Sequence, residues 1–472
     1  MNGKRYLIKN IGILTLSQFG SKILSFLLVP LYTNILTTEE YGIYDSFHTT
    51  ICLLIPILTL GISDAVLRFP LDKENDRKGI FSVAIKKYVI SFVVLCIPLL
   101  INFRFNFIPV VNEYVIYFLA MYIVQTISGI CINFSRGLDC IKEVGISGIL
   151  CSIVMLVLNI SFLKVIKLGL IGYFLANIIA LLIQTLYLII SLKLWKFVTW
   201  SKQYNDLEKQ MITYSVPLIA NTVAWWVNSS SDRYVVIFLC GVTANGIYSV
   251  AYKIPSMMSL FQTIFNQAWT LSTVKDFDKD DSKGFFSEVY ALYNFGMVMG
   301  CSVLISGTKM IAEIMYAKDF YAAWNYSPWL IISVLFGALS GYLGGIFAAV
   351  KDTKIFAKTT VVSAIVNTVL NIILVYFFGP IGAAIATLIS YWLTFVIRIK
   401  YVQRYIKFKI RYLRDNISYI ILILQSILLY GFIEKTIVLY MLEFICICVL
   451  MFIYKKEIII CIDKFKRGLK HG

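Results

Sequence analysis

The chain has 472 residues, of which 59% are hydrophobic and 15% charged, and its formal net charge is +17. Soluble domains carry about 45–50% apolar and about 25% charged residues. The composition therefore excludes an ordinary soluble enzyme and predicts an all-α polytopic membrane protein. The basic excess is not read as a nucleic-acid surface, because it follows membrane topology.

After the polar residues 1–5, the apolar run 11–36 is long enough to span and lacks a small-residue cleavage site, so it reads as a retained first span. Further spans fall near 43–67, 83–103, 114–134, 145–163, 168–191, 213–239, 246–272, 286–307, 327–350, 357–378, 380–397, 416–433 and 436–454. That gives about fourteen, each close to the roughly 20 residues a transmembrane helix needs. With the N-terminus in the cytoplasm, roughly 34 of the 43 Lys and Arg residues fall in inside connections and about six in outside ones. Both termini are then expected inside. The longer polar connections, 69–87, 193–212, 275–285 and 399–416, are also inside, and no soluble domain is inserted.

The two halves share short motifs in the same order. Tyr41-Gly42-Ile43-Tyr44 is echoed by Asn245-Gly246-Ile247-Tyr248, and Leu158-Asn159-Ile160 by Leu370-Asn371-Ile372. Gly169-Leu170-Ile171-Gly172 with Ala176 is echoed by Gly379-Pro380-Ile381-Gly382 with Ala386. A displacement of six spans keeps orientation, so two parallel six-helix lobes around a central cavity are expected. The lobes are 1–192 and 213–400, joined by a cytoplasmic linker at 193–212. Residues 401–472 add a helix pair and a basic cytoplasmic tail.

Charged and polar residues inside spans are costly and mark functional candidates. Span 1 carries Thr15, Gln18, Lys22 and Ser25 on one stripe. Span 2 ends with Asp64 and Arg68, whose i, i+4 spacing allows an interfacial ion pair or an inner gate. Asp45 and His48 lie at its outer end. In span 7, Asn221, Trp225, Asn228 and Asp232 follow helical spacing with Arg233 beside them, and in span 8 Lys253, Ser256, Thr263 and Gln267 share a face. A cavity lined by these faces is cationic and suits a phosphorylated substrate, since arginine grips phosphate bidentately and lysine acts as a point charge. A structural Asp232–Arg233 pair and a snorkelling Lys253 are the other reading. Asp232, Asp64 and Arg68 are candidates for ion coupling or pairing.

Gly337, Gly341 and Gly345 of span 10 read as a packing stripe. Pro30, Pro56, Pro217 and Pro255 are expected to interrupt spans 1, 2, 7 and 8. Ten cysteines, mostly in spans, read as small apolar residues. With only His48 and His471 beside them, they supply no metal-ligand set. There is no P-loop and no nucleophile elbow, so no cofactor, no metal and no catalytic residue are expected.

Thr33–Tyr44 (TNILTTEEYGIY), Gly61–Phe69 (GISDAVLRF), Ser215-Val216-Pro217 with Ser231-Asp232-Arg233, and Gly246–Lys253 (GIYSVAYK) resemble the Wzx-type polysaccharide flippases. These belong to the multidrug/oligosaccharidyl-lipid/polysaccharide exporter superfamily. Thr33–Thr38 departs from the family pattern in holding no Arg. The resemblance implies a transporter of the bacterial cytoplasmic membrane. Its substrate would be an O-antigen, capsule or exopolysaccharide repeat unit on undecaprenyl diphosphate, moved to the outer leaflet by alternating access. It implies Lys22, Arg233 and Lys253 as diphosphate contacts, and pathway glycosyltransferases and a polymerase as partners. An inside-negative potential can help drive such an anion outward, and proton or sodium antiport through Asp232 or Asp64 is the competing source. A multidrug exporter, a lipid II flippase and a membrane polymerase are the alternatives. The polymerase needs large outer loops, which the chain lacks.

Overall fold

The structure is a computed structural model that describes residues 20, 24, 26–72, 76–199, 204–275, 277–282, 284–350, 352–431 and 437–471. Among them there is no strand. The chain is an all-α polytopic membrane protein. Nine helices are long and apolar enough to cross a membrane, and two bent pairs bring the number to eleven among the described residues. These correspond to spans 2–6 and 9–14 of the sequence. Span 1 lies largely outside the described residues, and spans 7 and 8 are the polar ones. Residues 1–230 and 231–472 form two compact units.

The first unit begins with α1 (Val29–Ile35), α2 (Thr38–Leu58) and α3 (Ile62–Arg68). A capping box starts α2: Glu40 N donates to Thr37 Oγ1 and Thr37 N donates to Glu40 Oε2. Span 2 is interrupted, but not at Pro56, which lies inside α2. It bends by 68° between α2 and α3, where Leu60 and Gly61 both take positive φ. A side chain at Gly61 would also sit 3.2 Å from Ser215 O and Ile219 Cγ1, so the break needs glycine for conformation and for room.

Next come α4 (Arg77–Phe105), α5 (Val115–Gly137), α6 (Ile141–Asn159), which runs on as a π-helix Ile160–Val165, and α7 (Gly169–Ser191). Asp76 caps α4 by accepting from Lys78 N and Tyr204 Oη, both at 2.9 Å. Ile62, Val66, Phe81, Ile130, Phe134 and Leu188 lie in the core cluster that joins α3, α4, α5 and α7. The expected linker 193–212 is partly helix: α8 (Asn205–Cys240) starts inside it and continues through span 7. Asp206 and Glu208 in its first turn favour that start. Lys86 and Lys87 Nζ reach Glu208 at 2.7 and 2.6 Å and fix the turn to α4. Pro217 lies inside this helix without ending it.

The second unit takes the last turns of α8, then α9 (Val242–Ala251) and α10 (Lys253–Lys275). Span 8 is therefore broken at Tyr252. Pro255 falls in the first turn of α10, where its missing N–H costs no helical bond. α11 (Phe285–Ser306), α12 (Thr308–Met315), α13 (Ser327–Ala349), α14 (Thr353–Phe378) and α15 (Pro380–Val402) follow. The glycine stripe of α13 receives α10. A Cβ at Gly341 or Gly345 would come within 2.7 Å of Asn266 or Trp269, and the Trp269 indole donates to Tyr342 O at 2.8 Å. Arg398 is buried at 2% exposure. It donates to Thr359 Oγ1 at 3.0 Å, Thr360 Oγ1 at 2.9 Å and Ser340 O at 3.1 Å.

The shared motifs play the same parts in each unit. Gly169 and Gly379 precede or open α7 and α15 at positive φ. Gly172 and Gly382 lie where a Cβ would press on the preceding helix end, at Phe162 and Leu374. Ala176 and Ala386 are fully buried, as are Asn159 and Asn371 to within 1%.

α16 (Tyr412–Gly431) and α17 (Ile437–Ile453) are the added pair, and both pack on α11. The expected basic tail is in fact a helix, α18 (Lys455–His471), bent by 70° from α17. Arg411 and Arg414 hold its buried Glu457, and Arg414 also pairs with Asp415 at 2.7 Å.

Candidate functional site

Of the residues singled out in the sequence, Gln18 and Lys22 lie outside the described residues. Asn221 is exposed, whereas Asn228 is 4% exposed and donates to Ala224 O at 3.1 Å, one turn back along its own helix. The span 7 face is therefore graded: its first half is open and its second half is covered. Trp226, between the two asparagines, donates its indole N–H to Thr49 O at 3.0 Å and pins α8 against α2.

Asp64 is half-buried in the first turn of α3. The expected Asp64–Arg68 pair is not formed. Arg68 turns the other way and meets Asp72 at 2.9 Å, both side chains about half exposed. After Arg68 the chain tightens through the 3-10 turn Phe69–Leu71, which brings Asp72 back beside the guanidinium. Asp64 keeps its place on the α3 surface nearer the bend.

In the second unit Asp232 is 1% exposed. Its carboxylate is encircled by donors: Tyr248 Oη at 2.7 Å and Tyr252 Oη at 2.5 Å reach Oδ2, and the Arg233 backbone N–H reaches Oδ1 at 3.0 Å. The local sequence explains the convergence. Gly241, at φ +92, turns the chain between α8 and α9. Asp232 lies nine residues before this turn and Tyr248 seven after it. At the helical rise these are about 13 and 10 Å from the turn, so they meet at nearly one depth. Tyr248 and Tyr252 are i, i+4 and share a face, and their rings meet edge on.

Arg233 is partly exposed, with its guanidinium carbon 5.4 Å from the centre of the Tyr252 ring, within cation–π range. Lys253 opens α10 immediately after Tyr252 and is partly exposed, and Ser256 beyond it is exposed. The opposite face of α10, with Asn266, Trp269 and Thr273, is the one buried on α13. The structure thus gathers Asp232, Arg233, Tyr252 and the start of α10 into one neighbourhood. Asp64 and Arg68 belong to the first unit.

Tyr248 and Tyr252 are the members of this cluster that the sequence reading did not choose. Their signal was available: a pair of i, i+4 tyrosines follows a glycine turn, and a buried aspartate precedes it at matching distance. Among the described residues there is no group of three or more His, Cys, Asp or Glu side chains that could hold a metal ion.

Residues 7–270 match the family model described as polysaccharide biosynthesis protein. The curated relative "Probable low-salt glycan biosynthesis flippase Agl15" of Haloferax volcanii is 22% identical over 238 residues. The chain spans about half the length of that relative, 49% of each being covered. The solved lipid II flippase MurJ, in an inward closed conformation, is similar at a TM-score of 0.71 and 16% identity, over 96% of this chain and 98% of that one. An inward-facing multidrug resistance transporter of the MATE family and MOP superfamily gives 0.64 and 14%, over 83% and 94%. These two likenesses establish the fold. The matched family model covers more than half of the sequence, and the protein belongs to the polysaccharide biosynthesis protein family.

Proposed function

We propose that the chain is a flippase that moves an oligosaccharide carried on a polyprenyl diphosphate from the inner to the outer leaflet of a bacterial cytoplasmic membrane by alternating access. Family membership supports the pathway, and a glycan biosynthesis flippase and a lipid II flippase are among the similar proteins. The observation that carries the reading is the state of Asp232. Its charge is met by two tyrosine hydroxyls and a backbone N–H, while Arg233 and Lys253 keep partial exposure nearby. Two cations beside one carboxylate leave the neighbourhood net positive, which favours an anionic headgroup. Asp232 orients Tyr252, and Tyr252 supports the Arg233 guanidinium that receives the phosphate.

An anion leaving an inside-negative cell is driven by about 2.3 kcal/mol per charge per 100 mV. The membrane potential therefore supplies part of the driving force, and proton or sodium exchange through Asp232 or Asp64 is the competing source. Glycosyltransferases and a polymerase would act before and after this step.

The test is export of labelled lipid-linked oligosaccharide in vesicles. Arg233→Ala abolishes export while the protein stays in the membrane, and Arg233→Lys restores only part of it, because lysine lacks the bidentate fork. Wild-type export by Arg233→Ala removes Arg233 from the site. Export that persists after the potential is collapsed removes the proposed driving force.

A further inference from the structure

Glu443 stands in the middle of α17, outside the repeat, and is 1% exposed. Its surroundings come from three helices. Gln425 of α16 donates from Nε2 to Glu443 Oε2 at 2.8 Å, and Ser306 Oγ at the end of α11 lies 2.9 Å from the same oxygen and 2.9 Å from Ser302 O, so its one proton serves one or the other. Gln425 Nε2 also reaches Ser306 Oγ at 3.0 Å, and Ser302 Oγ donates to Gln425 Oε1 at 2.9 Å. Ser302 and Gln425 are fully buried. The network thus fastens the added helix pair to α11.

Both contacts fall on Oε2. Oε1 is buried and has no partner among the described residues. The titratable groups nearby are few. Cys446 lies one turn on along α17. The Tyr430 hydroxyl of α16 is given to Asn325 O. The Lys309 ammonium of α12 lies 4.5 Å from the centre of the Trp324 ring. No ion pair joins Glu443 to a described cation.

A bare carboxylate buried within a membrane span is costly. Something must neutralise it. A metal ion would ask for several oxygens, and Oε1 is the one oxygen left open here. A proton asks only for one acceptor, and Ser306 Oγ can serve as it, because its own proton can go to Ser302 O at 2.9 Å. The neutral acid still accepts from Gln425 Nε2, so proton uptake leaves the network intact.

We infer that Glu443 is a proton-binding site that docks the α16–α17 pair on α11, holding a proton while docked. Loss of that proton leaves an uncompensated charge in the seam and weakens the docking. The inference goes beyond the export reading, and its test involves no lipid-linked sugar, so either can fail alone.

The experiment is infrared spectroscopy of the purified full-length protein, unlabelled and with carboxyl-13C glutamate. At neutral pH a protonated-carboxyl band is expected that shifts with the label and is lost in Glu443→Gln. The label assigns the band to glutamate in the wild type even if the variant folds poorly. The melting temperature should fall as pH is raised through the range where the band disappears, and Glu443→Gln, which mimics the neutral acid, should lose that slope. Absence of a glutamate band at neutral pH overturns the inference. A pH slope unchanged in Glu443→Gln does so too, as does sodium-dependent loss of the band, which would make the site a metal-ion site.

Discussion

Tyr252 donates its hydroxyl to Asp232 at 2.5 Å, across the turn that Gly241 makes between two helices. A hydrogen bond to a charged group contributes about 1.5–3 kcal/mol. Removing one donor leaves Asp232 with Tyr248 at 2.7 Å, and removing both leaves it only the Arg233 backbone N–H. Tyr252→Phe and Tyr248→Phe should each lower the melting temperature, and the double variant should lose more than either. In an Asp232→Asn background the same changes should cost less, because a neutral amide does not need two phenols. A double variant with wild-type stability would show that the cluster carries no energy.

The two close-approach glycines make a graded prediction. At Gly172 an added Cβ would press on Leu168 Cβ and Phe162 Cβ at 3.0 Å and on Phe162 O at 3.3 Å, which a backbone shift of a few tenths of an ångström relieves. At Gly382 it would collide with the backbone of Leu374, which cannot yield without moving the helix end. Overpacking costs about 1–3 kcal/mol where neighbours can shift. Gly382→Ala should therefore reduce folded yield and melting temperature more than Gly172→Ala. Equal effects would mean that the helix ends move freely.

The same glycines show what was legible in the chain. Hydropathy placed eleven of the spans seen among the described residues, because lipid imposes a long apolar run. The repeated Gly-x-x-Gly exposed the common design because each glycine has a local steric cause. The break in span 2 was expected at Pro56, which α2 absorbs, whereas the chain bends at Leu60–Gly61, where positive φ rather than a missing N–H ends the helix. Arg68 was assigned to Asp64 by spacing alone, whereas the 3-10 turn after it decided for Asp72. Asp232 stood out as a charge, but its tyrosines looked like ordinary membrane aromatics. Glu443 passed unnoticed in a strongly apolar span, and only the meeting of three helices gives it partners.

The junction of α4 and α8 should respond to acid. Burial pushes the Glu208 carboxyl up, but hydrogen bonds and charge from Lys86 and Lys87 outweigh it and hold it below its ordinary value of 4.5. A depressed carboxyl stabilises the fold above its unfolded value and loses that contribution as pH falls through the folded one. The difference in melting temperature between wild type and Glu208→Gln should be constant near neutrality and shrink below about pH 4. A difference that grows with acid would contradict the assignment of both lysines to Glu208.

The choice of partner at Arg68 can be measured directly. Arg68 and Asp72 form an exposed pair with each side chain about half accessible, and such pairs couple weakly. A double-mutant cycle of Arg68→Ala with Asp72→Ala should return a small favourable coupling, reduced by salt. The cycle of Arg68→Ala with Asp64→Ala should return a smaller value, because the two side chains do not meet. The export assay then separates stability from function. If the inner end of span 2 is a gate that uses Asp64, Asp64→Asn should impair export at unchanged melting temperature, while Asp72→Asn should leave export intact. Equal export by both variants would make this end of the span an ordinary interfacial turn.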